Sequence, residues 1–359
     1  MTPTGRPTRI SATDVRARSR VTVDLDAVRA NVRTLRELAH PAELWAVVKA
    51  DAYGHGASPV AAAAVDAGAA AVCVAATAEA VALRETLADA RIVVLGPTAG
   101  REHGQLRAVG AEVVVGGGEL PDDLPVHLKI DTGMGRAGIR PEDVSDQSSK
   151  RIVGVMTHLA VADDTSDDAF TRQQLASFER VAAKFPDSTR HAANTAATIR
   201  FAASHYDAVR CGIGIYGLSP FADRPAGIEL RPALRWETCI AALKTLRPGE
   251  STGYGRRFTA DRSVRIGLVP VGYADGLPRA LRGADVIVDG QRCEIVGTPS
   301  MDSLAVRVPT DTAVGAVVTI VGDGVTAEQQ ATAAGTLNYE FVCSIGRDPL
   351  RCERIFDNA

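Results

Sequence analysis

Short apolar runs recur along the first two thirds of the chain, at 44–50 (LWAVVKA), 70–75 (AAVCVA), 91–96 (RIVVLG), 111–116 (AEVVVG), 126–131 (VHLKID), 151–159 (RIVGVMTHL), 189–194 (TRHAAN) and 208–214 (AVRCGIG). Between most of them the apolar period lengthens to that of a helix, as in 77–90 and 167–185. Upstream, from residue 21, VTVDLDAVRANVRTLRELA predicts a short strand and then a helix. Asp24 or Asp26 serves as its N-cap, and Val28, Val32, Leu35 and Leu38 form its apolar stripe. Continuous apolar strands alternating with helices predict a parallel sheet covered by helices, and eight of them in succession predict a (β/α)8 TIM barrel. An open doubly wound sheet would carry a G-x-G-x-x-G turn after its first strand, and none stands there in this chain. The 116–126 connection is too short for a full crossover helix.

Beyond Trp236 the texture changes. Alternating runs such as VRIGLVPVGYADG, DVIVDGQRCEIVG and DSLAVRV are joined by Gly, Asp and Pro turns, with DGQ at 289–291 reading as a hairpin turn. One late helix is expected at 326–335. The expected organisation is a flexible basic tail (1–20), a barrel (21–235) and a mostly-β C-terminal domain (236–359).

Composition narrows the function classes. A hydrophobic share of 46 % in 359 residues supplies a large core, and a net charge of −3 gives no support for nucleic acid or an anionic membrane as partner. Six cysteines are spread without a CxxC pair, which suggests reduced thiols in the cytoplasm and no zinc site. No apolar run has the length of a membrane span, and the arginine-rich first 20 residues lack the apolar core of a secretory signal.

Barrel enzymes build their sites at the C-terminal ends of the strands. Reading those ends gives Lys49 on the first; Lys129 and Asp131 on the fifth, with Arg136 in the loop beyond; Thr157 and His158 on the sixth; Asn194 and Thr195 on the seventh; and Arg210 with Gly212, Ile213 and Gly214 on the eighth. Each has a plainer reading. Lys49 can simply reach water from a strand end, His158 can be a satisfied core-edge histidine, and Lys129 can pair with Asp131. Arg136 can sit in a surface loop, and Tyr254 in a turn between strands. Yet the chain has only five lysines, with arginine supplying nearly all other positive charge, so Lys49 points to a need for an amine that can lose its proton. RCGIGIYG offers unobstructed backbone N–H groups suited to a phosphate. Together these suggest a phosphorylated aldehyde bound through the lysine amine, namely pyridoxal 5'-phosphate.

At this point the chain becomes recognisable. AVVKADAYGHG, HLKIDTGMGRAG, THLAVAD, HAANTAA, RCGIGIYGLSP, STGYGRRF, VPVGYADGLPRAL and SMD, in that order, resemble the alanine racemase family over roughly residues 21–350. The resemblance implies a pyridoxal-phosphate enzyme, a barrel followed by a β-domain that the first strand joins, and a head-to-tail homodimer acting on a small amino acid. It implies Lys49 as cofactor lysine and one base, and Tyr254 as the second base, reaching the partner subunit's site. It places Arg210 at the pyridine nitrogen, with His158 between Arg210 and Tyr254, and assigns Tyr53, Thr195, Gly212 and Ile213 to the phosphate. Arg136 and the Met301 amide would meet the substrate carboxylate. Lys129 matches a position that is carbamylated in some members and orients that arginine. Asn194, Tyr273, Arg279 and Asp302 would support or gate the site.

Two stretches depart from the family pattern. Gly297, Thr298 and Pro299 stand where Gly-Arg-Val or Gly-Arg-Ile is usual, and Arg347 stands where a tyrosine is usual. Both positions line the substrate corridor in relatives. The expectation is therefore racemisation of L-alanine to D-alanine, with serine or a longer or acidic amino acid as the alternative. An amino-acid decarboxylase on the same barrel would carry an acidic group in place of Arg210. A pyridoxal-phosphate carrier would lack the β-domain and the STGYG tyrosine, which leaves a degenerate, non-catalytic racemase as the remaining rival.

Overall fold

Eight short strands close into a barrel: β2 (Glu43–Val47), β3 (Ala71–Val74), β4 (Ile92–Val94), β5 (Glu112–Val115), β6 (Val126–Lys129), β7 (Ile152–Met156), β8 (Thr189–His191) and β9 (Ala208–Cys211). All pairings are parallel, and β2 returns to β9 through Glu43↔Ala208 to Ala46↔Cys211. The structure, a computed structural model, describes residues 18–118, 120–144, 152–221 and 228–358. The chain divides into two units, one from Leu25 to Pro232 and the other joining the segment up to Asp24 with Ala233–Asn358.

Each expected run yields one barrel strand: Ala71–Val74, Ile92–Val94 and Val126–Lys129 are buried throughout, while Thr189–His191 is polar and only partly buried. The strands are shorter than their apolar runs, since residues past each strand end turn into the loops. Helices at Leu25–Ala39, Ala57–Asp66, Thr77–Arg84 and Ala169–Ala182 cover the barrel sequence. The stripe of the first is buried at Val28, Val32 and Leu35, while Leu38 is exposed. The helix expected at 77–90 stops at Arg84, whose guanidinium turns back to donate to the carbonyls of Leu87 and Ala88. No helix lies between β5 and β6 among the described residues.

The barrel interior is not wholly apolar. Trp45, His127 and His191 are fully buried there, with the Trp45 and His191 ring centroids 4.6 Å apart and those of His127 and His191 4.9 Å apart. Gly154 on β7 makes this possible, because a Cβ at that position would run into the His127 imidazole.

The second unit is built on a nine-stranded sheet. Its strands are β1 (Ser19–Asp24), β10 (Leu234–Cys239), β11 (Ala242–Leu246), β14 (Val264–Val269), β15 (Asp285–Val288), β16 (Gln291–Val296), β17 (Leu304–Arg307), β18 (Val317–Val321) and β19 (Cys352–Asp357). A two-stranded ribbon, β12 (Ser251–Thr252) with β13 (Phe258–Thr259), stands beside it. As the family resemblance implies, the first strand joins this sheet, lying antiparallel to β10 and parallel to β19. It begins at Ser19, so Ser19 and Arg20 are strand and not tail; residues 1–17 of the expected tail lie outside the described residues. Asp289 and Gly290 both take positive φ in the turn between β15 and β16. The late helix runs from Ala327 to Ala334, capped by Thr326 Oγ1 accepting from Gln329 N at 3.2 Å. A further helix, Asn338–Ser344, falls where none was expected.

Candidate functional site

Lys49 lies two residues beyond β2, at the mouth of the barrel, and is half-buried. The chain leaves Lys49 in an unusual turn. Ala50, Asp51, Ala52 and Tyr53 all have φ of 53–54° and ψ of 37–51°, one turn of left-handed helix made without glycine. Each such residue costs ~1–2 kcal/mol relative to the right-handed form, so the surroundings must hold the turn in place. Glu79 Oε1 accepts from Ala50 N at 2.7 Å, Asp51 Oδ1 accepts from Ala57 N at 2.8 Å, and Ala52 N donates to Val48 O at 2.9 Å. The Tyr216 hydroxyl donates to Val47 O at 2.8 Å, and the Tyr216 ring stacks on His55 at 4.5 Å. The turn fixes the direction of Lys49 at one end and of buried Tyr53 at the other.

Tyr53, Thr195 and Gly212 meet. A Cβ at Gly212 would lie 2.5 Å from the Tyr53 hydroxyl, so only glycine leaves that hydroxyl its place. Thr195 Oγ1 accepts from Gly212 N at 3.1 Å and Gly214 N at 3.4 Å, which gathers hydroxyls and amides into one cradle, with Ile213 next in the chain. Asn194 has another job. Its Oδ1 accepts from Ala197 N at 2.9 Å and caps the Thr195–Arg200 helix.

Arg210 is almost fully buried at the end of β9. Its Nη1 donates to His191 O and Nδ1, both at 2.9 Å, and its Nη2 donates to Thr157 O at 2.9 Å and Ala192 O at 3.0 Å. Burial lowers its pKa to about 10, which still leaves it protonated at neutral pH. His158 Nδ1 is 3.5 Å from Arg210 Nη2, a weak contact. Burial first, then Arg210, Lys129, Arg136 and Lys49, push the His158 imidazole down to about 3. Burial, followed by Arg136 and Arg210, also holds the Lys129 ammonium below the ordinary lysine range. Asp131 accepts from Gly133 N and Gly135 N, both at 3.0 Å, and its charge attracts that of Lys129. Arg136 is exposed in the loop beyond.

The barrel therefore gathers Lys49, Lys129, Arg136, His158 and Arg210 within electrostatic reach of one another, with the hydroxyl and amide cradle of Tyr53, Thr195 and Gly212 formed on the same strand ends. A cationic rim of this kind suits an anion, while the Gly212 and Gly214 amides, expected to be free for a phosphate, here donate to Thr195 Oγ1. Among the described residues no group of three metal-ligating side chains occurs.

The other expected residues belong to the second unit. Tyr254 projects from a tight turn between β12 and β13 and is 71 % exposed. Thr298 is half-buried and shares a groove with Tyr254, Leu268, Ser300 and Leu304. Tyr273, Met301 and Arg279 are exposed. Asp302 accepts from Arg351 Nη2 at 2.9 Å, and Arg351 also grips buried Asp275 through Nε at 2.8 Å and Nη2 at 3.0 Å. Exposed Arg347 donates through Nε to Cys343 O at 2.8 Å. Sequence reading did not single out His127, His191 or Glu112. The only signal was a histidine inside each of two strand motifs, HLK and HAAN, where an apolar residue is usual.

Comparison with known proteins agrees with this architecture. Residues 23–220 match the family model of the alanine racemase N-terminal domain, and residues 233–356 that of the C-terminal domain. An alanine racemase of Symbiobacterium thermophilum is 40 % identical over 355 residues, covering 90 % of this chain and 94 % of that one. The crystal structure of alanine racemase from D-cycloserine-producing Streptomyces lavendulae superposes with a TM-score of 0.88 at 36 % identity, covering 96 % of this chain and 98 % of that one. That from Bartonella henselae, with covalently bound pyridoxal phosphate, gives 0.87 at 28 % identity, covering 95 % of this chain and all of its own. Both halves of the chain are accounted for, and the chain belongs to the alanine racemase family.

Proposed function

We propose that this chain interconverts L- and D-alanine with pyridoxal 5'-phosphate, using Lys49 and Tyr254 as bases on opposite faces of the substrate. The observation that carries the reading is buried Arg210, protonated at neutral pH and set on the rim that also bears Lys49. When bound, the cofactor acidifies the substrate Cα–H by spreading the electron pair left behind. Lys49 would hold it covalently, Tyr53, Thr195, Gly212 and Ile213 would hold its phosphate, and Arg210, held by His191, Thr157 and Ala192 with His158 beside it, would face its ring nitrogen. A guanidinium can only donate, so that nitrogen stays unprotonated and electron withdrawal is limited to what proton removal needs. Lys49 takes or returns the proton on one face of Cα, and Tyr254 does so on the other.

Arg136, oriented by Lys129, and the Met301 amide would bind the substrate carboxylate. Asn194 would support the phosphate cradle through its helix cap. Tyr273, Arg279, Thr298, Asp302 and Arg347 would shape the entrance. Tyr254 is exposed in this chain, as a residue contributed to a second copy has to be, which favours a homodimer with shared sites. The described residues contain no helix long and apolar enough to cross a membrane, and all six cysteines are free. These features suit a cytoplasmic enzyme.

The test is a panel of L-amino acids offered to the cofactor-loaded protein, with alanine, serine, glutamate and lysine among them. Alanine is expected to racemise fastest. If alanine were the poorest of the panel, Thr298 and Arg347 would have redirected the site to another amino acid. Lys49→Ala is expected to lose the visible absorbance of covalently held cofactor.

A further inference from the structure

Behind Arg210 a line of hydrogen bonds runs through the barrel to its far end. His191 Nδ1 faces Arg210 Nη1 at 2.9 Å, the other nitrogen of His191, Nε2, lies 2.9 Å from His127 Nδ1, and His127 Nε2 lies 2.6 Å from Glu112 Oε2. Arg91 closes the line, donating to Glu112 Oε1 through Nε at 2.8 Å and to Oε2 through Nη2 at 2.9 Å. Both imidazoles are fully buried. Glu112 opens β5, at the end of the barrel opposite the site, where residues ordinarily serve stability alone.

The protons on this line can be placed by elimination. Burial holds both histidines below their ordinary pKa, so at neutral pH each carries a single ring proton. A guanidinium has only donors and a carboxylate only acceptors. His191 Nδ1 must therefore accept from Arg210, so its proton sits on Nε2 and points at His127 Nδ1. His127 Nδ1 then accepts, and its own proton sits on Nε2, pointing at Glu112. From Arg210 to Glu112 every donor points the same way, away from Arg210, and Arg91 donates to Glu112 from the other side.

We propose that Glu112 is a positioning residue for the reaction: as the terminal acceptor it fixes His127 and His191 as Nε2–H tautomers and so presents His191 Nδ1 as the acceptor that orients Arg210. Without an acceptor at Glu112, the buried His127 Nε2–H has no partner, and the proton is better placed on Nδ1. It then meets the Nε2–H of His191. Relieving that clash moves the His191 proton to Nδ1, directly against an Arg210 N–H. One lost carboxylate thus disturbs a guanidinium at the far end of the line. What Arg210 does for catalysis rests on the racemase reading above; the tautomers do not.

The experiment uses cofactor-loaded full-length protein with 15N-labelled histidine, in wild-type, Glu112→Gln and Glu112→Leu forms, reading the ring nitrogens by NMR. Wild type should show bare Nδ1 and protonated Nε2 on both His127 and His191. Glu112→Gln keeps a carbonyl acceptor and should keep that pattern and the wild-type cofactor absorbance. Glu112→Leu should move the His127 proton to Nδ1, shift the His191 Nδ1 signal and the absorbance maximum, and lower kcat ~10-fold while KM changes less than about twofold. A folded Glu112→Leu protein with an unchanged His191 signal and absorbance would overturn the proposal. Should Glu112→Leu fail to fold, an Nδ1–H on either imidazole in wild type or Glu112→Gln would overturn it equally. Absence of racemisation in every form, with the expected NMR pattern, would refute the racemase reading and leave the tautomer assignment standing.

Discussion

The His127 imidazole on β6 occupies the space that a side chain at Gly154 on β7 would need. A polar ring can cross the barrel there only because its neighbouring strand offers bare backbone. Gly154→Ala is therefore expected to destabilise the protein by ~1–3 kcal/mol, the usual penalty of overpacking a core. Denaturant unfolding of the variant measures it. A neutral result would mean that His127 can move aside and does not fill the barrel as described.

The left-handed turn after Lys49 gives a prediction with two signs. Ala50 is exposed and has φ of 53°, so no packing masks the backbone effect. Glycine takes that conformation without strain but loses more chain entropy on folding, so Ala50→Gly should stabilise by only ~0.5 kcal/mol. Ala50→Val should destabilise by ~1–2 kcal/mol, because a branched Cβ crowds the carbonyl in that region. Thermal unfolding of the two variants side by side tests the sign.

Arg210 satisfies His191 Nδ1 and the carbonyls of His191, Thr157 and Ala192 with two terminal nitrogens. A lysine ammonium is a single point and cannot reach all four. Arg210→Lys should cost ~2–3 kcal/mol of stability, since buried acceptors lose their donors. Circular dichroism melts compared with wild type are the check, and a variant as stable as wild type would contradict the hydrogen-bond assignment.

The buried histidines set the response to acid. A group whose folded pKa lies below its unfolded value leaves the native state with fewer bound protons, so stability rises with pH across the gap. His158, pushed down to about 3 from an ordinary 6.5, is thus neutral at no penalty above pH 6.5 and destabilises progressively as pH falls towards 3. His191 and His127 act in the same direction. Burial alone would raise the Glu112 pKa, but hydrogen bonds from His127 and Arg91 outweigh it and bring it to about 2. Its contribution is full above about 4.5 and is lost as pH falls towards 2. Urea midpoints measured against pH should therefore begin to fall near 6.5 and steepen below 4.5. His158→Asn should flatten the first part of that fall, and Glu112→Gln the second.

The barrel could be read from the chain because strands covered on both faces leave largely apolar runs, and eight of them in succession, alternating with helices, suit a closed barrel. Strand ends then delivered Lys49, Lys129, His158, Thr195 and Arg210 to one rim. Other features depend on contacts made at a distance. Arg84 ends its helix by folding back on Leu87 and Ala88, which no periodicity signals. The Asn338–Ser344 helix spans under two turns, too short for an apolar stripe to stand out. The line from Arg210 to Glu112 joins residues on four strands, and each of its histidines looks like a polar lapse in an apolar strand until the barrel closes. Tyr254 carries no local mark of chemistry at all; only the family resemblance couples it to Lys49.

The proposed chemistry stands or falls on removal of the Cα proton of alanine from one face and return of a proton to the other. Incubation of the cofactor-loaded protein with L-alanine in D2O, with the enantiomers separated over time, reads both events at once. Expected are D-alanine carrying deuterium at Cα, an approach to equal amounts of the two enantiomers from either starting side, and loss of both in Lys49→Ala. D-alanine no higher than in a cofactor-only control would contradict the mechanism.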